Sequence, residues 1–229
     1  MITQNVGNLH QRAGNKKNEK IGTRSYSING AIAMKEDGAM DKQVAEVSIN
    51  QTRLSIIQGD ITKQGTDAIV NAANSSLMGG GGVDGAIHRA GGPAIVEDCK
   101  QIVAKQGRLP TAKAMITTGG NLQARFIIHT VGPIWHGGNK GEPELLASAY
   151  RESLKVAAEN NLSTISFPSI STGAYGYPVA KAAKVATNTV VSSLRKGVTS
   201  VKEVVFVLFD SATFQSYASV LSEIARESK

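Results

Sequence analysis

Asp67-Ala68-Ile69-Val70-Asn71-Ala72-Ala73-Asn74-Ser75-Ser76-Leu77-Met78-Gly79-Gly80-Gly81-Gly82-Val83-Asp84-Gly85-Ala86-Ile87-His88 carries the chain from an apolar strand pattern, through four consecutive glycines, into a helical pattern. Lacking Cβ atoms, Gly79 to Gly82 can reach φ > 0 and turn several N–H groups toward one point. Set before a helix, such a loop is an anion cradle, because the first N–H groups of the helix have no intrahelical partner and its dipole favours negative charge. A glycine run is otherwise read as a flexible linker. The flanks oppose that reading here: an apolar strand precedes the glycines, and Val83, Ala86, Ile87 and Ala90 follow at helical spacing.

Gly80, Gly82 and Gly85 also spell G-x-G-x-x-G. A dinucleotide fingerprint stands directly after the first strand, with an acidic residue about 20 positions further on. In this chain Asn71 to Met78 intervene, and the helix-like stretch Gln101 to Lys105 offers no acid. No G-x-x-x-x-G-K-[ST] occurs either, which argues against a Walker-type triphosphate loop.

Composition narrows the partners. At 229 residues and 41% hydrophobic the chain can bury one good core, so one domain with an appendage is expected. A net charge of +7 suits an anionic ligand or a nucleic acid. The basic residues are scattered, and aromatics make up only 5%, so the stacking platform of a single-strand binder is missing and nucleic acid is disfavoured. The single cysteine, Cys99, has apolar neighbours Ile95, Val96 and Ile102 and reads as a small buried hydrophobe in a reducing cytoplasm. No stretch approaches the roughly 18 apolar residues of a membrane span, and no His/Cys/Asp cluster has zinc spacing, so neither a membrane nor a metal or other cofactor is expected.

Residues 1 to 48 are polar, rich in Asn, Gln, Lys and Gly, and without a sustained apolar period. They are expected to be a disordered extension or, given Met34 and Met40, an upstream read-through, with the folded domain spanning 49 to 229. From Thr52 strand and helix patterns alternate. Leu54 to Ile57, Asp67 to Ala72, Ala114 to Thr118, Phe126 to Val131, Thr164 to Phe167 and Glu203 to Phe209 read as strands; Pro93 to Lys105, Glu142 to Asn160, Val179 to Leu194 and Ala212 to Ala225 read as helices. This order predicts an α/β domain in three α/β/α layers, with a central mixed, largely parallel sheet. Ligands of such folds bind beyond the carboxyl ends of the strands. A second loop leaves such an end: Ser169-Ile170-Ser171-Thr172-Gly173-Ala174-Tyr175-Gly176-Tyr177-Pro178 follows strand Thr164 to Phe167 and leads into a helix. Paired with the glycine loop, it suggests two jaws on one diphosphate.

Gly59-Asp60-Ile61-Thr62, Asp67 to Asn74, Gly79 to His88, His129-Thr130-Val131-Gly132-Pro133-Ile134-Trp135 and Ser171 to Pro178, in this order, resemble a macrodomain of the MacroD type over about Thr52 to Ala225. The resemblance implies the macrodomain fold, ADP-ribose binding, deacetylation of O-acetyl-ADP-ribose and removal of mono-ADP-ribose from acidic side chains. It places Asp60 as the carboxylate that accepts the adenine amine, the Ile61 main chain against the ring, and Phe209 as the aromatic that stacks on it. Gly80, Gly81, Gly82, Val83, Ser171, Thr172, Gly173, Ala174 and Tyr175 match its diphosphate and distal-ribose loops, although many members carry Val or Ile where Ala174 stands. Asn74 resembles the asparagine on the distal ribose, and Asp84 the aspartate that orients or deprotonates the attacking water. From the residues alone, Asp60 and Asp84 also read as helix or turn caps, Asn74 as a turn former, Phe209 as core, and His129 as a satisfied core histidine.

The expected function is a cytoplasmic hydrolase that binds ADP-ribose or O-acetyl-ADP-ribose, or mono-ADP-ribosylated proteins. It splits an acyl ester at the distal ribose by direct attack of water, without a covalent enzyme intermediate. A non-catalytic reader of ADP-ribose is the alternative.

Overall fold

The computed structural model describes residues 28–29, 35–37, 42–197 and 200–227. Their strands form a nine-stranded mixed sheet. Its centre is parallel: β4 (Thr52–Gln58), β9 (Glu203–Leu208), β8 (Thr164–Phe167), β5 (Ala68–Ala72) and β7 (Phe126–Thr130) lie side by side in that order. β6 (Ala114–Thr118) runs antiparallel to β7 at one edge. On the other side β3 (Lys42–Ile49) runs antiparallel to β4, and two short strands, β1 (Ile28–Asn29) and β2 (Lys35–Asp37), pair with β3.

The apolar runs of the central strands follow from helices on both faces. α3 (Glu142–Glu159), α4 (Val179–Arg195) and α5 (Ser211–Glu227) cover one face; α1 (Gly82–Gly91) and α2 (Pro93–Gln106) cover the other. β9 shows the period-two division directly. Val204, Phe206 and Leu208 join the core under α3, α4 and α5, while Val205 and Val207 join the core under α1 and α2. This is the three-layer, largely parallel architecture expected from the strand and helix order.

The boundary drawn at residue 48 needs correction. β3 pairs with β4 from Val44↔Ile57 to Ile49↔Thr52. Ala45, Val47 and Ile49 are buried on one face, and Glu46 and Ser48 alternate with them. The short period-two signal was diluted by the polar residues around it, yet its partner strand supplies the face that buries it. Residues 1–27, 30–34 and 38–41, the remainder of the expected disordered extension, lie outside the described residues.

Candidate functional site

The loops that follow β4, β5, β8 and β9 converge beyond the carboxyl ends of these parallel strands and line a two-lobed cleft. One lobe, of about 320 Å³, lies between the glycine loop and the loop after β8; Asn74, Gly80, Gly81, Asp84, Ser171, Ala174 and Tyr175 border it. The other, of about 430 Å³, is bordered by Asp60, Ile61, Arg89, Thr172, Phe209 and Asp210. Gly82, Val83, Ser169 and Gly173 border both lobes, so the two jaws meet at the waist. Every binding or catalytic candidate singled out from the sequence therefore lies on this cleft.

The waist is built from unpaired donors. Gly81 caps α1 without a side-chain bond, and Gly82 has φ +57°. Among the described residues no backbone carbonyl accepts from the N–H groups of Gly80 to Asp84, nor from those of Thr172 to Tyr175. One helical start and one loop thus line the same gap with N–H groups that no backbone carbonyl accepts from, which suits a polyanion. Gly85 is required where α1 passes the loop: a Cβ there would stand 2.4 Å from the Gly80 carbonyl oxygen. Opposite it, Ser171 holds φ +68° as a non-glycine residue, and its buried hydroxyl is unpartnered. The second jaw is anchored from below. Tyr150 of α3 donates to the Pro168 carbonyl at 3.2 Å and accepts from the Ile170 N–H at 3.2 Å, while Tyr217 of α5 lies 2.9 Å from the Ser169 hydroxyl.

In the larger lobe, Asp60 caps the 3-10 turn Ile61–Lys63, its Oδ1 accepting from the N–H and hydroxyl of Thr62 at 2.9 and 2.7 Å. Among the described residues neither of these bonds uses Oδ2. Phe209 is not core: 83% of its surface is exposed at the end of β9. Asp210 next to it is held below the usual carboxylate range by the N–H and hydroxyl of Thr213.

The smaller lobe holds a buried carboxylate. Asp84 occupies the first turn of α1 but does not cap it; only 4% exposed, it accepts from Asn71 Nδ2 at 2.7 Å through Oδ1. Its Oδ2 lies toward Gly80, 3.0 Å from where a Cβ of that residue would stand. His88, one helical turn on, brings Nε2 to 3.3 Å from Oδ1, outside hydrogen-bond alignment. Asn74 stays in the wall: its amide donates to the Gly79 carbonyl at 2.8 Å and its Oδ1 accepts from the N–H of Ser76 at 2.9 Å, an Asx turn that shapes the glycine loop.

Sequence reasoning gave no role to Asn71 and set His88 aside for want of a metal-ligand spacing. The signals were present: an asparagine inside an otherwise apolar strand, and a histidine at i+4 from Asp84 on the same helical face. Behind them His129 is wholly buried, and desolvation first, then the neighbouring His88, lowers it to about 3, so the ring is neutral. Cys99 is buried and pushed up to about 11 by desolvation and by Asp84 and Asp98, which keeps it a thiol. Among the described residues no group of three or more His, Cys, Asp or Glu side chains is placed to hold a metal ion, and no helix is long and apolar enough to cross a membrane.

Residues 70–186 match the family model described as the Macro domain. A macro domain-containing protein of Caldanaerobacter subterraneus subsp. tengcongensis is 59% identical over 172 residues, covering 75% of this chain and 97% of that protein. A protein of Salmonella typhimurium named O-acetyl-ADP-ribose deacetylase is 53% identical over 172 residues, 75% of this chain and 96% of its own length. The solved Oceanobacillus iheyensis macrodomain with ADP superposes with a TM-score of 0.78 at 43% identity, over 82% of this chain and 100% of that one. Fold, cleft and sequence agree, and the chain belongs to the Macro domain family.

Proposed function

We propose that this protein binds ADP-ribose in the two-lobed cleft and hydrolyses an acyl ester carried on the distal ribose. The observation that carries the reading is the junction of a donor-lined waist with a buried carboxylate whose inner oxygen is tied down, leaving the outer one toward the glycine loop. Adenine occupies the larger lobe, its amine facing Asp60 and its ring against Phe209. The diphosphate lies at the waist on the N–H groups of Gly81, Gly82, Val83, Thr172, Gly173 and Ala174. The distal ribose enters the smaller lobe beside Asn74, Ser171 and Tyr175. The Salmonella relative's name and the ADP bound to the Oceanobacillus macrodomain support this reading.

Water lies between Asp84 and the substrate's own phosphate. Asp84 accepts one water proton as the oxygen forms its bond to the ester carbonyl carbon; the tetrahedral centre then collapses, the ribose–oxygen bond to the acyl carbon breaks, and the ribose oxygen takes that proton back from Asp84 to depart as a hydroxyl. The acyl group leaves as a carboxylic acid, with no covalent intermediate on the enzyme. The acetyl ester of O-acetyl-ADP-ribose and the ester linking ADP-ribose to a protein Asp or Glu both present this bond. A cytoplasmic setting suits the single buried thiol.

The test is incubation with O-acetyl-ADP-ribose and, separately, with a mono-ADP-ribosylated acidic protein, following free ADP-ribose. Release from either substrate is expected; tight binding without release from both makes the protein a reader and overturns the hydrolytic reading.

A further inference from the structure

A chain of hydrogen bonds runs from Asp84 of α1 along the sheet face beneath α1 and α2 to the edge strand β6. Asn71 of β5 gives one amide hydrogen to Asp84 Oδ1 at 2.7 Å and directs the same nitrogen at His129 Nδ1, 3.1 Å away on the adjacent strand β7. The other ring nitrogen, Nε2, lies 2.8 Å from the Thr117 hydroxyl on β6, and that hydroxyl also reaches the Thr118 carbonyl at 3.2 Å. Asn71 and His129 are wholly buried, and Thr117 nearly so. One arrangement satisfies these contacts together. The Thr118 carbonyl only accepts, so Thr117 donates to it and must accept from His129 Nε2–H. A neutral imidazole with its proton on Nε2 bears a lone pair on Nδ1, which accepts the second Asn71 hydrogen. With both amide hydrogens engaged, the amide presents nitrogen, never oxygen, to Asp84.

We propose that His129 is a positioning residue: locked in the Nε2–H form by Thr117, it fixes the Asn71 amide so that Asp84 keeps a donor on its inner oxygen and directs the outer one at the reacting water. The proposal rests on the catalytic reading of Asp84 given above. The groups facing the His129 ring are His88 and Asp84 of α1, with ring centroids of the two histidines 6.2 Å apart, the Cys99 thiol of α2 at 3.9 Å from Nε2, Asn71 of β5 and Thr117 of β6. The thiol is uncharged, and the lowering of His129 to about 3 agrees with a neutral ring.

Long-range 15N–1H NMR of the wild-type imidazole tests the lock without reference to activity. A proton on Nε2 and none on Nδ1, unchanged between pH 8 and pH 5, is expected; an Nδ1–H ring, or titration inside that window, overturns the proposal. Kinetics with O-acetyl-ADP-ribose then test its consequence. In His129→Leu the amide loses its second acceptor and is free to swing away from Asp84. We expect kcat to fall about 10- to 100-fold, inside the 10²-fold or more that a positioned base supplies, with KM within about twofold and the acid limb of the kcat/KM profile moved to higher pH. His129→Asn, which restores an acceptor, recovers much of kcat. Thr117→Val produces the same loss with the histidine in place and serves if His129→Leu does not fold. Added to Asp84→Ala, His129→Leu costs nothing further, because one residue acts through the other; a further loss in that background, or unchanged kcat and pH profile in Thr117→Val, overturns the proposal. Full activity of Asp84→Ala alone refutes the base reading instead, and the ring NMR separates the two failures.

Discussion

Asp84 and Gly173 separate chemistry from binding at the scale of single residues. Asp84 is no helix cap; Asn71 holds one of its oxygens and the other lies at the glycine loop. Asp84→Ala removes the proposed base but none of the waist donors, so kcat should drop about 10²-fold or more while calorimetry still shows ADP-ribose binding. Full hydrolysis by this variant would leave Asp84 with a structural role alone. Gly173 borders both lobes, and nothing lies within 4 Å of a Cβ built there. Gly173→Glu should therefore fold, but its carboxylate would occupy the proposed diphosphate path and repel the phosphates. Binding and turnover should be lost together, with Tm near that of the unsubstituted protein; retained ADP-ribose affinity would move the diphosphate elsewhere. Both residues were visible in the sequence because glycine runs and carboxylates near a helix start carry local signals. The Asn71–His129–Thr117 chain was not, since it joins three strands that only pairing brings together.

Among the elements, β3 shows how a strand depends on its partner. Val47 and Ile49 bury their side chains against β4's face of the sheet, worth roughly 1.5–3 kcal/mol each, against a typical domain stability of about 5–15 kcal/mol. A chain beginning at Lys42 should keep its cooperative melting transition, whereas one beginning at Asn50 should melt many degrees lower or fail to fold; equal melting temperatures would restore the boundary near residue 48. The turn before α3 depends on one carboxylate. Burial alone would raise Glu142, but the N–H groups of His136, Gly138 and Lys140 donate to it and, with its own backbone, hold it at about 2. A carboxyl lowered from an ordinary 4.5 stabilises the fold above that value and loses its contribution as pH falls toward 2. Glu142→Gln should consequently lower Tm at pH 7 and flatten the decline in Tm between about pH 4.5 and pH 2; an unaltered acid profile would show that the turn does not need the charge.

For the whole molecule, the two-lobed cleft predicts which ligands stabilise it. ADP-ribose engages both lobes and the waist and should raise Tm by mass action at concentrations well above its Kd. Adenosine fills only the larger lobe and should shift Tm far less. Equal shifts would remove the diphosphate from the reading. The sequence by itself determined the alternation of strands and helices, the three layers, the two loops and the residues on the cleft, because these are written in local periodicity, glycine placement and ordered motifs. Only the tertiary structure decided that 42–49 joins the sheet, that Asp60 caps a turn while facing the cleft, and that a buried histidine reaches Asp84 through an asparagine. The reason is physical: burial and hydrogen-bond partnership in a parallel sheet are set by neighbours distant in sequence, and no local pattern records which strand lies beside which.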